Sequence, residues 1–316
     1  MRLAEVLDRI KGCRAAVIGD VMLDEYLFGT AARISPEAPV MVIRRIRDSH
    51  APGGAANVAH NIAALGGTAF LVGVIGDDEP GQRLSKAHAP AGVTHRYVVD
   101  KDRPTTCKTR VVADQAHQVL RIDTESEQPL TGKSLEEFLN AALKAVDDAD
   151  VVVLSDYMKG ALNHEVCAGV IERAKARGIP VVANPKPKSA RQMKGASLIS
   201  LNRREASDLM DGELGEPALA AKKLAAGLGV EHVLITLGGE GMVAGPETIE
   251  VDAHHVEVYD PAGAGDTAIA TVALGFARCG YTKAVFELAA ATAAAVVRHV
   301  GVTAPSAEDL ARIREV

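Results

Sequence analysis

The sequence lacks the marks of several large protein classes. Its four cysteines, Cys13, Cys107, Cys167 and Cys279, lie far apart and form no C-x-x-C pair, which argues against a zinc site. Scattered thiols in a long chain fit a reducing compartment, so a cytoplasmic location is expected. The formal net charge is −6 and no long basic run occurs. Nucleic acid is therefore not an expected partner, because its phosphates demand clustered Lys and Arg. A local basic pocket for one phosphorylated metabolite stays open. Met1 to Lys11 lacks the continuous apolar core of an export signal. The alanine-rich stretch Ala289–Val297 is too short to span a bilayer and reads as a packed helix, so no membrane partner is expected. The first strand runs into GDVMLD rather than G-x-G-x-x-G, which leaves a dinucleotide-dependent dehydrogenase without support. There is no internal repeat and no linker-like segment.

What is present points to an α/β enzyme. The chain has 316 residues, 47% of them apolar and 24% charged, enough for a full core in one domain. Short apolar runs at Ala15–Ile18, Phe70–Val74, Val151–Leu154, Pro180–Ala183, Leu198–Leu201 and Val233–Thr236 read as buried strands. Helical patterns lie between them, at Ala55–Leu65, His164–Ala176 and Pro217–Leu228, and a last one closes the chain near Ala307–Glu315. Strand–helix alternation predicts a mostly parallel sheet covered on both faces, with ligands outside the carboxyl ends of its strands. Pro39–Arg47 and His95–Asp123 break the rhythm. Their polar–apolar alternation predicts antiparallel strands with one wet face, a small sheet that covers the pocket as a lid. One domain over residues 1–316, lid included, is expected.

The segment VEVYDPAGAGDT, Val256–Thr267, carries the chemistry. It predicts a strand running into Asp260, then a glycine turn, then a long helix of small residues over Ala268–Arg278. Gly263 and Gly265 let the backbone turn tightly and bring its N–H groups to a ligand. The helix N-terminus adds partial positive charge, which favours a phosphate. Asp266 at that end can take a proton from an attacking hydroxyl while the amides of Gly263, Ala264 and Gly265 hold the transferring phosphoryl group. The plain alternative is a helix cap. His60, His117, His254, His255 and His299 are possible bases by type, yet none lies in a comparable loop.

DPAGAGDT resembles the D-T-x-G-A-G-D signature of the ribokinase-like (pfkB) carbohydrate kinases, with Pro261 where that family usually has Thr. Four further stretches resemble its other elements in the same order: Gly53-Gly54-Ala55-Ala56-Asn57, Gly76-Asp77-Asp78-Glu79-Pro80-Gly81, Asn202-Arg203-Arg204-Glu205 and Thr236-Leu237-Gly238. The resemblance covers nearly the whole chain. It implies a ribokinase-like fold, ATP as donor, magnesium held through water by Glu205, and a nucleotide site using Asn202, Thr236 and Gly238. It implies that Asp20, Gly53, Gly54 and Asn57 bind the sugar. It also implies a homodimer paired through the lid strands. Asp24, read as one turn beyond Asp20, is open between a ligand contact and a solvated or capping carboxylate.

GDVMLDEYLFGTAARISPEAPV, GGAANVAHNIAALG, TTCKTR and SDYMKGAL together resemble the D-glycero-β-D-manno-heptose-7-phosphate kinases of lipopolysaccharide core synthesis. That resemblance implies transfer of the γ-phosphoryl group of ATP to the anomeric O1, giving the 1,7-bisphosphate. The bifunctional relatives add an adenylyltransferase half with an H-x-G-H motif, which this sequence does not contain, so a stand-alone kinase is expected. A phosphorylated sugar needs cations opposite the reacting end. Arg33, Lys108, Arg110, Arg121, Lys159, Lys186 and Lys188 are the candidates, with Arg33, Lys108, Arg110 and Lys186 favoured. The competing readings are a kinase for another sugar, sugar phosphate or nucleoside, and a non-catalytic sugar or nucleotide sensor.

Overall fold

The computed structural model describes residues 1–86, 91–114 and 117–315. Nine strands form the large sheet, in the order β13-β12-β11-β10-β9-β8-β1-β4-β5. These are β1 (Arg14–Gly19), β4 (Thr68–Ile75), β5 (Val93–Val99), β8 (Val151–Ser155), β9 (Val181–Asn184), β10 (Leu198–Asn202), β11 (His232–Thr236), β12 (Met242–Gly245) and β13 (Ile249–Val251). The run from β11 to β5 is parallel, and β12 and β13 add an antiparallel edge.

Successive side chains of a strand point to opposite faces, so each central strand feeds two cores. Val17 and Val153 join one cluster and Ile18, Val152 and Leu154 the other. The first cluster lies under α1 (Leu3–Arg9), α2 (Ala55–Ala64), α8 (Ala264–Cys279) and α9 (Lys283–Val296), and takes in Ile313 of α10 (Ala307–Arg314). The second lies under α4 (Gly132–Asp147), α5 (His164–Ala176), α6 (Arg203–Leu209) and α7 (Pro217–Leu228). The short α3 (Glu79–Lys86) follows β4. Small residues let α8 and α9 approach closely. A β-carbon on Gly275 would stand 2.6 Å from Val285 Cγ1, and the buried hydroxyls of Thr271 and Thr292 meet at 2.9 Å. No helix among the described residues is long and apolar enough to cross a membrane.

The lid is a separate four-stranded sheet in the order β3-β2-β6-β7: β2 (Val21–Ile34), β3 (Met41–Gly54), β6 (Cys107–Ala113) and β7 (His117–Thr124). Several expectations change here. The segment predicted as lid from His95 is divided: β5 runs parallel to β4 as the edge of the large sheet, and only β6 and β7 enter the lid. Gln115 and Ala116, inside that segment, lie outside the described residues. The lid is not wholly antiparallel, because β2 and β6 run parallel. Residues 21–34, not predicted as a strand, supply its longest member jointly with β3. No strand precedes the glycine loop, since residues 252–258 have no regular structure.

Phe138 of α4 is fully buried in the second core. Phe138→Ala should cost about 3–5 kcal/mol of unfolding free energy in urea titration, through lost burial and the cavity left behind. Leu219 of α7 is 48% exposed, and Leu219→Ala should stay within about 0.5 kcal/mol of wild type.

Candidate active site

The site lies where the parallel strands end. Asp20 follows β1, Asp156 follows β8, and Asn202 and Thr236 face each other at the ends of β10 and β11. The lid is inserted at the same place: β2 leaves directly after Asp20, and β3 returns at Gly54 with Val21 and Gly54 in register. Gly54 then caps α2 with φ 59°, a left-handed value that suits glycine. A β-carbon there would stand 2.5 Å from the Asp20 carbonyl oxygen, and one on Gly53 would stand 2.0 Å from Asp24 Oδ2. The two glycines thus let the lid root close over two carboxylates.

Asp266 occupies the first turn of α8, three residues after Gly263, whose φ is 87°. Its carboxylate is 5% exposed. Asn57 Nδ2 donates to Oδ2 at 2.8 Å, and the Tyr157 hydroxyl donates to Oδ1 at 2.6 Å. Burial pushes the Asp266 carboxyl up to about 6. The Tyr157 and Asn57 donors pull it down, the charge of Asp24 adds to the rise, and Lys186 opposes it. Gly265 is exposed, and a β-carbon on it would meet nothing within 4 Å, so the amide edge of this turn faces open space. First-turn N–H groups of a helix have no intrahelical partner and can serve an anion, although the Ala264 N–H makes a long contact with the Pro261 carbonyl at 3.4 Å. Asp260 braces the loop, accepting from the N–H of Ala262 at 2.9 Å and of Gly301 at 3.0 Å.

Asp20 sits differently from expectation. It accepts three backbone N–H groups, those of Tyr157 (2.8 Å), Lys159 (2.9 Å) and Ala161 (3.1 Å). It therefore shapes the loop after β8, with three of its acceptor positions taken by that loop. Burial, with the neighbouring Asp156 charge, raises its carboxyl to about 6 against those three donors. Asn57 is likewise engaged, donating to Asp266 and accepting from Asn61 Nδ2 at 3.1 Å. Asp24 is neither a cap nor solvated: it lies on β2, 3% exposed, and ion-pairs with Arg110 of β6.

The candidate cations do not converge on one point. Lys108 lies between Asp123 (3.2 Å) and Glu125 (3.4 Å), and Lys159 reaches the same Glu125 at 2.9 Å. Arg121 and Lys188 are exposed, and Arg121 pairs with Asp123. Arg33 is exposed on β2, nine residues beyond Asp24 and roughly 30 Å along the strand, outside the reach of a ligand at Asp266 in the same chain. Lys186 is not opposite the reacting end. Its Nζ lies 2.7 Å from Glu205 Oε1 and 5.0 Å from the centre of the Tyr157 ring.

Glu205 forms a capping box at the start of α6. Its N–H donates to Asn202 Oδ1 and its Oε2 accepts the Asn202 N–H, each at 2.9 Å. The carboxylate is thus fixed on one side and faces Lys186 on the other. Thr236 and Gly238 follow on the neighbouring strand, with Gly238 at φ 63°. Tyr157, Asp156 and Ser189 carry no weight in the sequence reading. Tyr157 belongs to SDYMKGAL, directly after a buried strand on the ligand-bearing edge, and that position is the signal for it.

Residues 14–309 match the family model described as pfkB family carbohydrate kinase. The chain is 41% identical over 273 residues to the D-beta-D-heptose 7-phosphate kinase of Bordetella bronchiseptica, covering 84% of this chain and 85% of that protein. It is 40% identical over 316 residues to the bifunctional protein HldE of Caulobacter vibrioides, covering 98% of this chain. The chain spans 65% of that relative's length and 64% of the HldE of a second Caulobacter strain. Among solved structures, phosphofructokinase-2 from Escherichia coli in complex with potassium superposes with a TM-score of 0.80 at 20% identity, over 96% of this chain and 98% of that one. Arabidopsis thaliana ribokinase complexed with ribose and ATP gives 0.75 at 20% identity, over 97% and 99%. The fold is ribokinase-like, as the sequence motifs implied.

A carboxyl whose pKa is raised on folding adds stability when protonated and loses it as pH climbs through the folded value. Asp266 contributes most below its ordinary value near 4, and that contribution is gone above about 6. Asp266→Asn cannot titrate. Its stability relative to wild type should therefore fall by on the order of 2–3 kcal/mol between pH 7 and pH 4, read from urea unfolding at each pH.

Proposed function

The chain belongs to the pfkB family of carbohydrate kinases and is an ATP-dependent sugar kinase, and we propose that its acceptor is D-glycero-β-D-manno-heptose 7-phosphate. The product is then the 1,7-bisphosphate, a precursor for the lipopolysaccharide core. The observation that carries the reading of the reaction is Asp266: a buried carboxylate, gripped by two donors, beside an open glycine turn at a helix N-terminus. The choice of acceptor is supported by the 41% identity to a kinase of that name over most of both chains.

In this reading Asp266 takes the proton of the anomeric hydroxyl as its oxygen attacks the γ-phosphorus. The O1–P bond forms while the bond from the γ-phosphorus to the β-bridging oxygen breaks. The amides of Ala264 and Gly265 face the charge that spreads over the transferring oxygens. Lys186 lies beside Glu205 and Tyr157, and this contact supports a role in neutralising phosphate on the nucleotide side rather than at the distal phosphate. A single half-buried carboxylate, Glu205, suits a magnesium ion carried mainly by ATP oxygens and water. Magnesium there would supply charge neutralisation, with Glu205 holding it through water. Arg110 and Lys108 on the lid are the cations proposed for the 7-phosphate, each exchanging a carboxylate partner for the ligand.

We also assign the exposed lid face to a second copy of the chain. Ile34, Met41, Ile46, Val119, Leu120 and Ile122 are all exposed on β2, β3 and β7, or on their ends. A long apolar sheet with an open edge is a surface that proteins cover. Sedimentation at micromolar concentration should return a homodimer, and Ile46→Asp with Ile122→Asp should return a monomer; a wild-type monomer overturns the assignment.

With ATP, heptose 7-phosphate should be phosphorylated while ribose, fructose 6-phosphate and adenosine are left nearly untouched. Fast turnover of an unphosphorylated sugar, and none of the heptose phosphate, would sink the acceptor assignment. Asp266→Asn should keep ATP binding and lose roughly 10²–10⁴-fold in single-turnover transfer. A mere helix cap would lose little, because Asn caps nearly as well as Asp.

A further inference from the structure

Tyr157 joins more parts of the site than any residue the motifs point to. Its hydroxyl donates to Asp266 Oδ1 at 2.6 Å, its ring lies under Lys186 at 5.0 Å, and a β-carbon on Gly54 would touch its Cδ2 at 3.5 Å. Its main chain is held equally firmly. Asp20 accepts the N–H of Tyr157, Lys159 and Ala161, and Asp156 accepts that of Met158 at 2.8 Å. Asp156 is in turn held by the Ser189 hydroxyl. The turn includes Met158 at φ 56°, a left-handed value that a side chain adopts only where its surroundings enforce it. A loop built at that cost fixes the ring, and the ring aims one hydroxyl at the base.

We propose that Tyr157 is a positioning residue for the base, its hydroxyl fixing the plane of the Asp266 carboxylate and holding it ionised toward the acceptor hydroxyl. This rests on the reading of Asp266 as the base. An ionised carboxylate offers about four acceptor positions. Tyr157 and Asn57 take one on each oxygen, so an acceptor hydroxyl binds at a free position without displacing either. The groups facing Asp266 are Asp24 from the lid, Asn57 from α2, Tyr157 from the loop after β8, and Lys186 from the segment after β9. Of these, Asp24 disfavours the charged carboxylate, and the other three favour it. Lys186 over the ring face draws electron density from the phenol and strengthens it as a donor. Tyr157 keeps its own proton, because burial and the Asp266 charge push its hydroxyl well above its ordinary value. The proton of the reaction goes to Asp266 alone.

The test uses the full chain with ATP and the best acceptor of the sugar panel above. Tyr157→Phe keeps the ring and removes only the hydroxyl. It should lower kcat roughly tenfold to a hundredfold, as expected for losing a charge-assisted hydrogen bond, with KM for ATP within about twofold. The acidic limb of the pH profile of kcat/KM should move to higher pH by about one unit, because the charged carboxylate loses a donor. Site-specific 3-fluorotyrosine at 157, a more acidic phenol of nearly the same size, should move the limb the opposite way. The fluorinated protein decides the question alone if Tyr157→Phe does not fold. Asp266→Asn is run in parallel. If it turns over near normally, the base reading itself fails. If it is inactive and the acidic limb stays at its wild-type pH in the 157 variants, whatever their rate, the Tyr157 proposal is overturned and the base stands.

Discussion

The site is organised by carboxylates that have been taken out of water. Asp20, Asp156 and Asp266 are each at most 5% exposed, and an ionised carboxylate in such a place is costly unless fixed donors replace its hydration. Asp20 receives three main-chain N–H groups, Asp156 one and a serine hydroxyl, Asp266 an amide and a phenol. The main-chain donors to Asp20 and Asp156 come from one loop, residues 157–161, and that loop carries the phenol for Asp266. Two of the charges therefore build the support for the third. A water shell would reorganise as charge shifts during phosphoryl transfer; these dipoles are already in place.

The parts of this arrangement that are local in sequence are legible there. The turn from Gly263 into α8 and the placement of Asp266 follow from glycine stereochemistry and the helix terminus. The central strands are continuous apolar runs, as strands buried on both faces must be. Edge and lid strands are harder. Val93–Val99 carries the exposed polar run Thr94, His95 and Arg96 because it is an edge strand, and a lid strand is polar for the same reason, so composition alone assigns it to the wrong sheet. Val21–Ile34 follows Asp20 and carries Asp24 four residues on, a spacing that reads as helical. Val256–Tyr259 is β-like in composition, yet no strand pairs with it.

Residue roles that depend on convergence in space were not legible. Lys186 reaches Glu205 across 19 positions of sequence, and Tyr157 reaches Asp266 across 109. Asn57 fits a sugar ligand by type, and with α2 packed against α8 its amide donates to Asp266. Asp20 stands at the expected strand end, where three nearby amides occupy three of its acceptor positions. In each case the residue type was informative and its partner was not.

The lid is rooted between Asp20 and Gly54, beside Asp266, and β2 is also tied to the body where Glu25 pairs with Arg83 of α3 and the Tyr26 hydroxyl accepts the Val302 N–H. The root of the lid therefore lies against the candidate site. On the proposed reading, a substitution at this root falls on residues beside the acceptor and the base. Opening rate and acceptor choice are then inherited together. A lineage built on this scaffold would change both in one step, and it would find new acceptors more readily by altering the lid's far strands than its root.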